Sequence, residues 1–545
     1  MKVVKIILFI SFIVIPIFAD STYRKDDAKQ IALNKRIPNS HIKVFMPTMP
    51  YIYLSKLING TLVRSSDNDK GWEFMMATSF KQTSELEYEF HLRENVKFQD
   101  GTEFDADSVV ENFNYLLESP FDYSDLFKRL KSIKKVSKYI VKFTFLKPYE
   151  LFLFDLTMVN IYSHKYLKLY GWGFKGASTS NSMKKPGPYG LGPYILKEGY
   201  ATGRSQTPII KLKANPNYYE APMPYIENIT IYTELTTSQV LEDALKNEGK
   251  LDISPIPFNK KVETVLSPYS KLITYPSTHN ISIYLNMLKP NGLLKNKKIR
   301  VALNEAINQE NLLKFVYKGE GKIAPSAANR NYKSVNIATK DMKTHHKNVD
   351  KEKIKKILNG LTLNVFTMER FMFLWKGIEF QLKEYGVSLN YEITTSEKAV
   401  YEKLLTNRQS PKNWDILAWG NDDWCGNNPW TVFFNYRTDD VWSTIEQDEL
   451  MQKYIYKFFE LKYNSPEYIN IVKKIIKRAY HNAYMLFVPS PNIVLAVNKE
   501  IDYTPSKVLL MPLWKAKITP FHWSIRDGKY PKNRQTPIRP KSRKK

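Results

Sequence analysis

Apolar and polar residues partly alternate along Tyr88–Phe98 (YEFHLRENVKF), which predicts a half-buried strand interrupted near Glu94 and Asn95. Asp100 and Gly101 then supply a turn, because glycine reaches positive φ at little cost. Beyond the turn the period changes. Asp105 can cap a helix, Asp107 sits in its first turn, and Val109, Phe113 and Leu116 share one face. The same change of period recurs from Leu361, where LTLNVFTM reads as a strand, ERFMFLWKGIEFQLKEYGV as an amphipathic helix and SLNYEITT as a second strand, together a βαβ unit. NKKIRVALNEAINQENLLKFVYKGEG, with Val301, Ala302, Ile307 and Leu312 at helical spacing, reads as a further helix stopped by glycines. Strands and helices mixed in this way predict α/β lobes, and 545 residues suffice for two or more domains.

The first residues change this picture at one end. In MKVVKIILFISFIVIPIFAD an apolar run from Ile6 to Phe18 follows Lys2 and Lys5 and leads to Ala19, too short a run for a membrane span. Residues 1–19 are therefore expected to be a cleaved secretory signal, the alternative being an uncleaved anchor. The best later apolar stretch, LFLFDLTMVNIY, is broken by Asp155, so the mature chain is expected to be exported and soluble. Cys425 is the only cysteine, which excludes an intramolecular disulfide, a multi-cysteine metal site and a lipid-anchor cysteine at the cleavage region. A buried structural thiol is its expected role.

The formal charge is +27. Removing the two lysines of the N-terminal segment and the eight basic residues after Asp527 leaves about +17 on residues 20–527, with residues 528–545 read as a solvated basic tail. The excess suits an acidic ligand, nucleic acid or an anionic surface. Lysines spread over solvated faces account for it more simply, and no nucleic-acid partner is expected of an exported protein. Catalytic punctuation is missing: there is no His-Glu-x-x-His and no Gly-x-Ser-x-Gly, GEGK at Gly319 lacks the other residues of a phosphate loop, and GPYGLG has the wrong glycine spacing for a dinucleotide fingerprint. His345 and His346 lie among lysines, which repel a cation. The expectation is a protein that is not an enzyme and has no cofactor and no metal.

MATSFKQTSELEYEFHLRENVKFQDGTEFDADSVVENF resembles the signature run of the family 5 extracellular solute-binding proteins, which serve ABC importers of oligopeptides, dipeptides and nickel chelates. GLGPYILKEG at Gly190, KLKANPNYYEAPMPYIENITIYT, GKLDISPIP at Gly249, and ISIYLNML followed by KKIRVALNEAINQENLLKFVYKGEGKIA resemble later family segments in the same order. Together they cover most of residues 40 to 520.

The resemblance implies an α/β, two-lobe periplasmic binding protein fold of the type II-like, cluster C kind, with a hinge and an extra small subdomain. On that pattern the first lobe takes 20–62, 190–290 and 490–527, the subdomain 63–189 and the second lobe 291–489. Arg93 and Asp100 would then define the subdomain fold and not touch ligand. The resemblance also implies a monomeric periplasmic receptor that captures short peptides between its lobes and hands them to ABC permease subunits in the inner membrane. A nickel or other metal-chelate receptor and a ligand-sensing receptor remain open. WDILAWGNDDWCGNNPWTVFF resembles the segment in which peptide-binding relatives carry a Trp and an Asp that pairs with the ligand ammonium. One of Asp422 and Asp423, with Trp419 and Trp424, is expected to meet ligand, while Trp414 and Trp430 are expected in the core. A buried ammonium needs a carboxylate, and indole faces add apolar and cation–π contact. The other reading of Asp422 and Asp423 is as solvated loop acids.

Overall fold

The computed structural model describes residues 28–527 except 30, 119–124, 172–184, 203–204, 348, 410–412, 422–425 and 509. The proposed signal, the basic tail and Cys425 lie outside the described residues.

Three sheets organise the chain. A seven-stranded mixed sheet has the order 270–275, 493–498, 253–255, 37–45, 226–232, 209–214 and 194–198. A five-stranded sheet runs 388–394, 362–368, 416–421, 280–285 and 485–486. A four-stranded antiparallel sheet is built from 77–84, 87–92, 140–145 and 130–137. The strand Asn280–Leu285 pairs with Ile416–Asn421 in the five-stranded sheet, so the chain leaves the first sheet near residue 276 and not near 290. It returns between Leu486 and Ile493. Two segments therefore cross between the large sheets.

The strand of the opening stretch covers Glu87–Leu92 and stops earlier than alternation predicts, with Asn95 at φ 59° where the break was expected. Gly101 (φ 89°) makes the turn, and Thr102 N–H and its hydroxyl donate to the Asp100 carboxylate. Asp105 accepts from Ser108 N–H at 3.1 Å at the start of Ala106–Glu118, whose Val109, Phe113 and Leu116 are buried. This helix lies on the four-stranded sheet, with Phe113 edge-on to Phe143. Arg93 donates to the Met75 carbonyl and stacks over Tyr219, a structural role. Gln99 donates to the carbonyls of Ile58, Gly192 and Tyr194, fastening the four-stranded unit to the seven-stranded one. A Cβ on Gly190 would sit 2.0 Å from the Ile58 carbonyl oxygen, so that junction requires glycine.

The βαβ unit forms as expected, from Thr362–Met368, Met372–Lys383 and Ser388–Thr394, with its two strands parallel. The long helix after Asn296 does not remain continuous. Lys297–Ala306 ends where Ile307 turns extended, and Asn308 caps a second helical stretch by accepting from Asn311 N–H at 2.9 Å. The competing signal was the capping side chain inside an otherwise periodic run. Trp414 and Trp430 are both buried at 2% exposure.

Candidate ligand-binding cleft

Where the two crossing segments pass between the sheets, the carboxyl ends of Ile37–Phe45, Ile253–Pro255 and Thr362–Met368 converge. Open α/β sheets leave a crevice at such ends, where the backbone must turn away and side chains from loops can meet. Here it is a cavity of about 360 Å³. The seven-stranded unit contributes Phe45, Met46, Tyr53, Ile256 and Phe258, and the five-stranded unit His279, Ile281, Arg370, Phe371 and Phe373. Residues 491–495, Tyr503, 505–508, Leu510 and Met511 close the side nearest the crossings.

Rings from the two units touch across the cavity rim. Phe258 lies 5.9 Å from Phe373 and 5.2 Å from Tyr317. Lys261 pairs with Glu320, which also accepts from Asn492 Nδ2 at 3.0 Å. Thr278 N–H donates to the Lys507 carbonyl at 2.7 Å, holding the first crossing against the C-terminal segment. Asp67 accepts from the Ser506 hydroxyl at 2.6 Å and from Lys507 N–H, which fixes that wall from the side of the four-stranded unit. Burial raises the Tyr503 phenol far above its ordinary range, so it stays neutral. Among the described lining residues the charged side chains are Arg370 and Lys507, and none is a carboxylate. The walls are aromatic and aliphatic, and the fixed charge is positive.

Trp419 lies away from this cavity. A Cβ on Gly420 would meet His279 Cε1 at 3.1 Å and Phe371 Cζ at 3.2 Å, so Gly420 occupies the cavity face of its strand. The preceding residue points to the opposite face. Trp419 is 5% exposed there, stacked on Trp442 at 5.7 Å and edge-on to Tyr401 at 5.3 Å. Asp422, Asp423 and Trp424 lie outside the described residues. The described chain on either side is anchored, with Asn421 paired to Asn280 next to His279, and Gly426 packed on Ser65. Sequence reasoning missed His279, Arg370, Phe371 and Lys507. The signal available for Arg370 and Phe371 was their place just after a strand in a βαβ unit, where the topology puts side chains into the crevice.

Behind the cleft lies a second cavity of about 10 Å³, and Leu510 lines both. Arg64 borders it, bound bidentately by Glu220 at 2.8 and 3.0 Å and by Glu73 at 2.6 Å. Lys56 also borders it, with Nζ donating to the Thr157 carbonyl and approaching Met158 Sδ at 3.7 Å. Desolvation pushes its ammonium down to about 7.

Ser524, His522 and Asp252 resemble a hydrolytic triad in residue type only. His522 Nδ1 lies 2.9 Å from Ser524 Oγ, and Nε2 lies 3.5 Å from Asp252. The His522 and Asp252 side chains have no solvent exposure, and Asp252 also accepts from Asn498 and Trp523. The group straps the C-terminal segment to the seven-stranded sheet.

Among the described residues, no helix is long and apolar enough to cross a membrane. A family model described as bacterial extracellular solute-binding proteins, family 5 Middle, matches residues 72–443. The chain is 24% identical over 546 residues to the oligopeptide-binding protein AppA of Bacillus subtilis, covering 92% of this chain and 90% of that one. Its fold matches DppA of Helicobacter pylori, solved with the peptide STSA, at a TM-score of 0.72 with 18% identity, covering 88% of this chain and 98% of that one. NikA of Brucella suis, solved with Fe(III)-EDTA, matches at 0.72 with 17% identity, covering 88% and 100%. The two large sheets are thus the two lobes of a periplasmic binding protein fold, and the chain belongs to the bacterial extracellular solute-binding proteins of family 5, a family of solute-binding receptors.

Proposed function

We propose that the protein captures a short peptide in the cavity between its lobes, closes on it by bending the two crossing segments, and presents it to ABC permease subunits as a monomeric periplasmic receptor. The observation that carries this reading is the cavity itself. Its volume is at the small end for ligand pockets, its walls are rings and aliphatic groups, and its fixed charges are few. Such walls accept varied side chains, while main-chain hydrogen bonds hold an extended peptide. Arg370 and Lys507 suit the carboxylate end of the ligand. One of Asp422 and Asp423 is the proposed partner of the ammonium end, supported by the anchoring of Asn421 beside His279. Binding favours the closed state by its difference in affinity for the two states. On this reading the domains are the two lobes with residues 63–189 as a subdomain, and residues 1–19 are an export signal.

The names of the relatives support a peptide ligand, since one is an oligopeptide-binding protein and another holds STSA. A metal chelate is the second reading. His279, in a cavity lined by four phenylalanines, suits a complex that brings most of its own ligands. Native mass spectrometry of the protein purified from the exported fraction, followed by denaturation, separates the two. Released peptides give the ligand and its length. Released nickel or iron with a small chelator, and no peptide, overturns the peptide reading.

A further inference from the structure

Phe380 is the most exposed large hydrophobic side chain of the described residues, at 81%. It lies on Met372–Lys383, two turns and about 10 Å beyond Phe373, which is 40% exposed on the same face. The segment Leu312–Val316 packs alongside at Gly377, where a Cβ would meet Val316 Cγ2 at 2.6 Å, and it presents Phe315 at 59% exposure. Phe373 packs on Phe258 and Tyr317, whereas Phe315 and Phe380 are largely uncovered, and soluble monomers seldom leave such an apolar face exposed without a function. Across the Phe258–Phe373 contact, the helix of the other lobe adds Val262 at 72% and Leu266 at 75%.

The charges nearest these rings are mostly basic. Lys376 and Lys383 stand within about a quarter turn of Phe380 on the helix face. Lys314 and Lys318 flank Phe315, with the Lys314 ammonium 5.1 Å from the Phe315 ring centroid. All four are exposed, and none forms an ion pair among the described residues. By contrast, Lys261 and Lys351 on adjoining elements hold Glu320 and Glu384. Of the nearby carboxylates, Glu379 lies on the helix and Glu384 follows it, paired with Lys351.

We propose that this face docks on an anionic phospholipid surface, with the phenylalanines at the headgroup and acyl boundary and the four lysines against lipid phosphates. Aromatic rings ringed by unpaired lysines match that boundary in both polarity and charge. Each lysine near an anionic surface adds attraction that salt weakens. The face borders the cleft, so a protein held this way keeps the mouth between its lobes close to the bilayer.

The test is co-sedimentation of the full chain with vesicles of phosphatidylcholine alone and of phosphatidylcholine mixed with phosphatidylglycerol, at physiological salt. The unaltered chain is expected to sediment only with the phosphatidylglycerol vesicles. Phe315→Ser with Phe380→Ser is expected to weaken that binding about tenfold, and Lys376→Gln with Lys383→Gln several-fold. Leu169→Ser, at an exposed apolar residue of a different helix, is expected to change nothing. Because all variants retain residues 528–545, equal binding by the phenylalanine variant and the unaltered chain would assign the attraction to the basic tail and overturn the proposal. So would no binding to anionic vesicles. Capture that requires permease in the vesicle would assign the face to a protein partner and overturn it equally. Unchanged near-ultraviolet circular dichroism confirms that the variants are folded.

Discussion

Replacing Lys56 with methionine is expected to make the protein more stable near neutral pH and less stable in alkali. Lys56 sits in the last turn of Pro50–Ile58, 9% exposed, and its described partners are a carbonyl oxygen and a thioether. The nearby carboxylates of Glu73 and Glu220 are held by Arg64. Burial without a carboxylate of its own lowers the ammonium from 10.5 to about 7. At 1.36 kcal/mol per pH unit this is a bias of about 4–5 kcal/mol against the charged form in the folded state.

The unfolded chain keeps the Lys56 proton up to about pH 10.5, whereas the folded chain releases it near pH 7. Between those values the unfolded state binds more protons, so stability rises with pH. Above about 10.5 the cost is absent, and below about 7 it is fully present. Methionine fills a similar volume and carries no charge, but it leaves the Thr157 carbonyl without this donor, a loss of about 1–2 kcal/mol. Lys56→Met should therefore gain about 3 kcal/mol over the natural protein near pH 7 and fall about 1 kcal/mol below it near pH 10. Urea unfolding followed by tryptophan fluorescence at several pH values reads both proteins. A difference between them that does not vary with pH would refute the reasoning.

Arg437 and Asp125 form a buried ion pair at 3.0 Å, 9% and 6% exposed, so Arg437→Ala should cost about 3 kcal/mol in urea unfolding, and Arg437→Met with Asp125→Asn should recover at least half of that. Gly426 has φ 58°, and a Cβ there would lie 2.6 Å from Ser65 Oγ, so Gly426→Ala should lower stability by about 2 kcal/mol, read as a shifted thermal midpoint. Phe371→Ala should weaken peptide binding about tenfold by removing a cavity wall, whereas Trp419→Phe, on the far face of its strand, should leave affinity within about twofold; calorimetry with the peptide recovered from the purified protein measures both. Equal losses in the two variants would contradict the placement of Trp419.

Local order was legible where one segment supplies both its own pattern and its own punctuation. Asp100, Gly101 and Asp105 make the turn and cap that their chemistry requires, and the βαβ unit after Leu361 needs only the change of period. The run after Asn296 was misread because Asn308 interrupts it as a cap, and periodicity carries no information about a side chain that bonds its own backbone. The cleft was harder. Its described lining comes from six stretches between Phe45 and Met511, and no spacing rule joins residues that meet only through two crossings between sheets. The tryptophan-rich segment stands out by composition, yet strand alternation assigns Gly420 to the cavity and Trp419 to packing. A small residue at the cavity face is what a ligand site needs, and composition cannot flag it.

Chain order also misleads about which parts hold which. The four-stranded unit and the segments beside it are tied to the seven-stranded unit by Gln99, by Arg64 with Glu220, and by Asp67 with Ser506. The same unit also contacts the second lobe. Asp125 holds Arg437, Phe154 lies 4.7 Å from Tyr463, and Glu150 N–H donates to the Phe459 carbonyl at 2.9 Å. These contacts bury rings and an ion pair together, and a buried pair is costly to separate because each charge is then left without its partner. The four-stranded unit therefore contacts both lobes. Through Asp67 it also fixes the Ser506–Lys507 wall of the cavity, so a change at the Arg437 contact, far from the cleft in sequence, acts on the same body that shapes the ligand site.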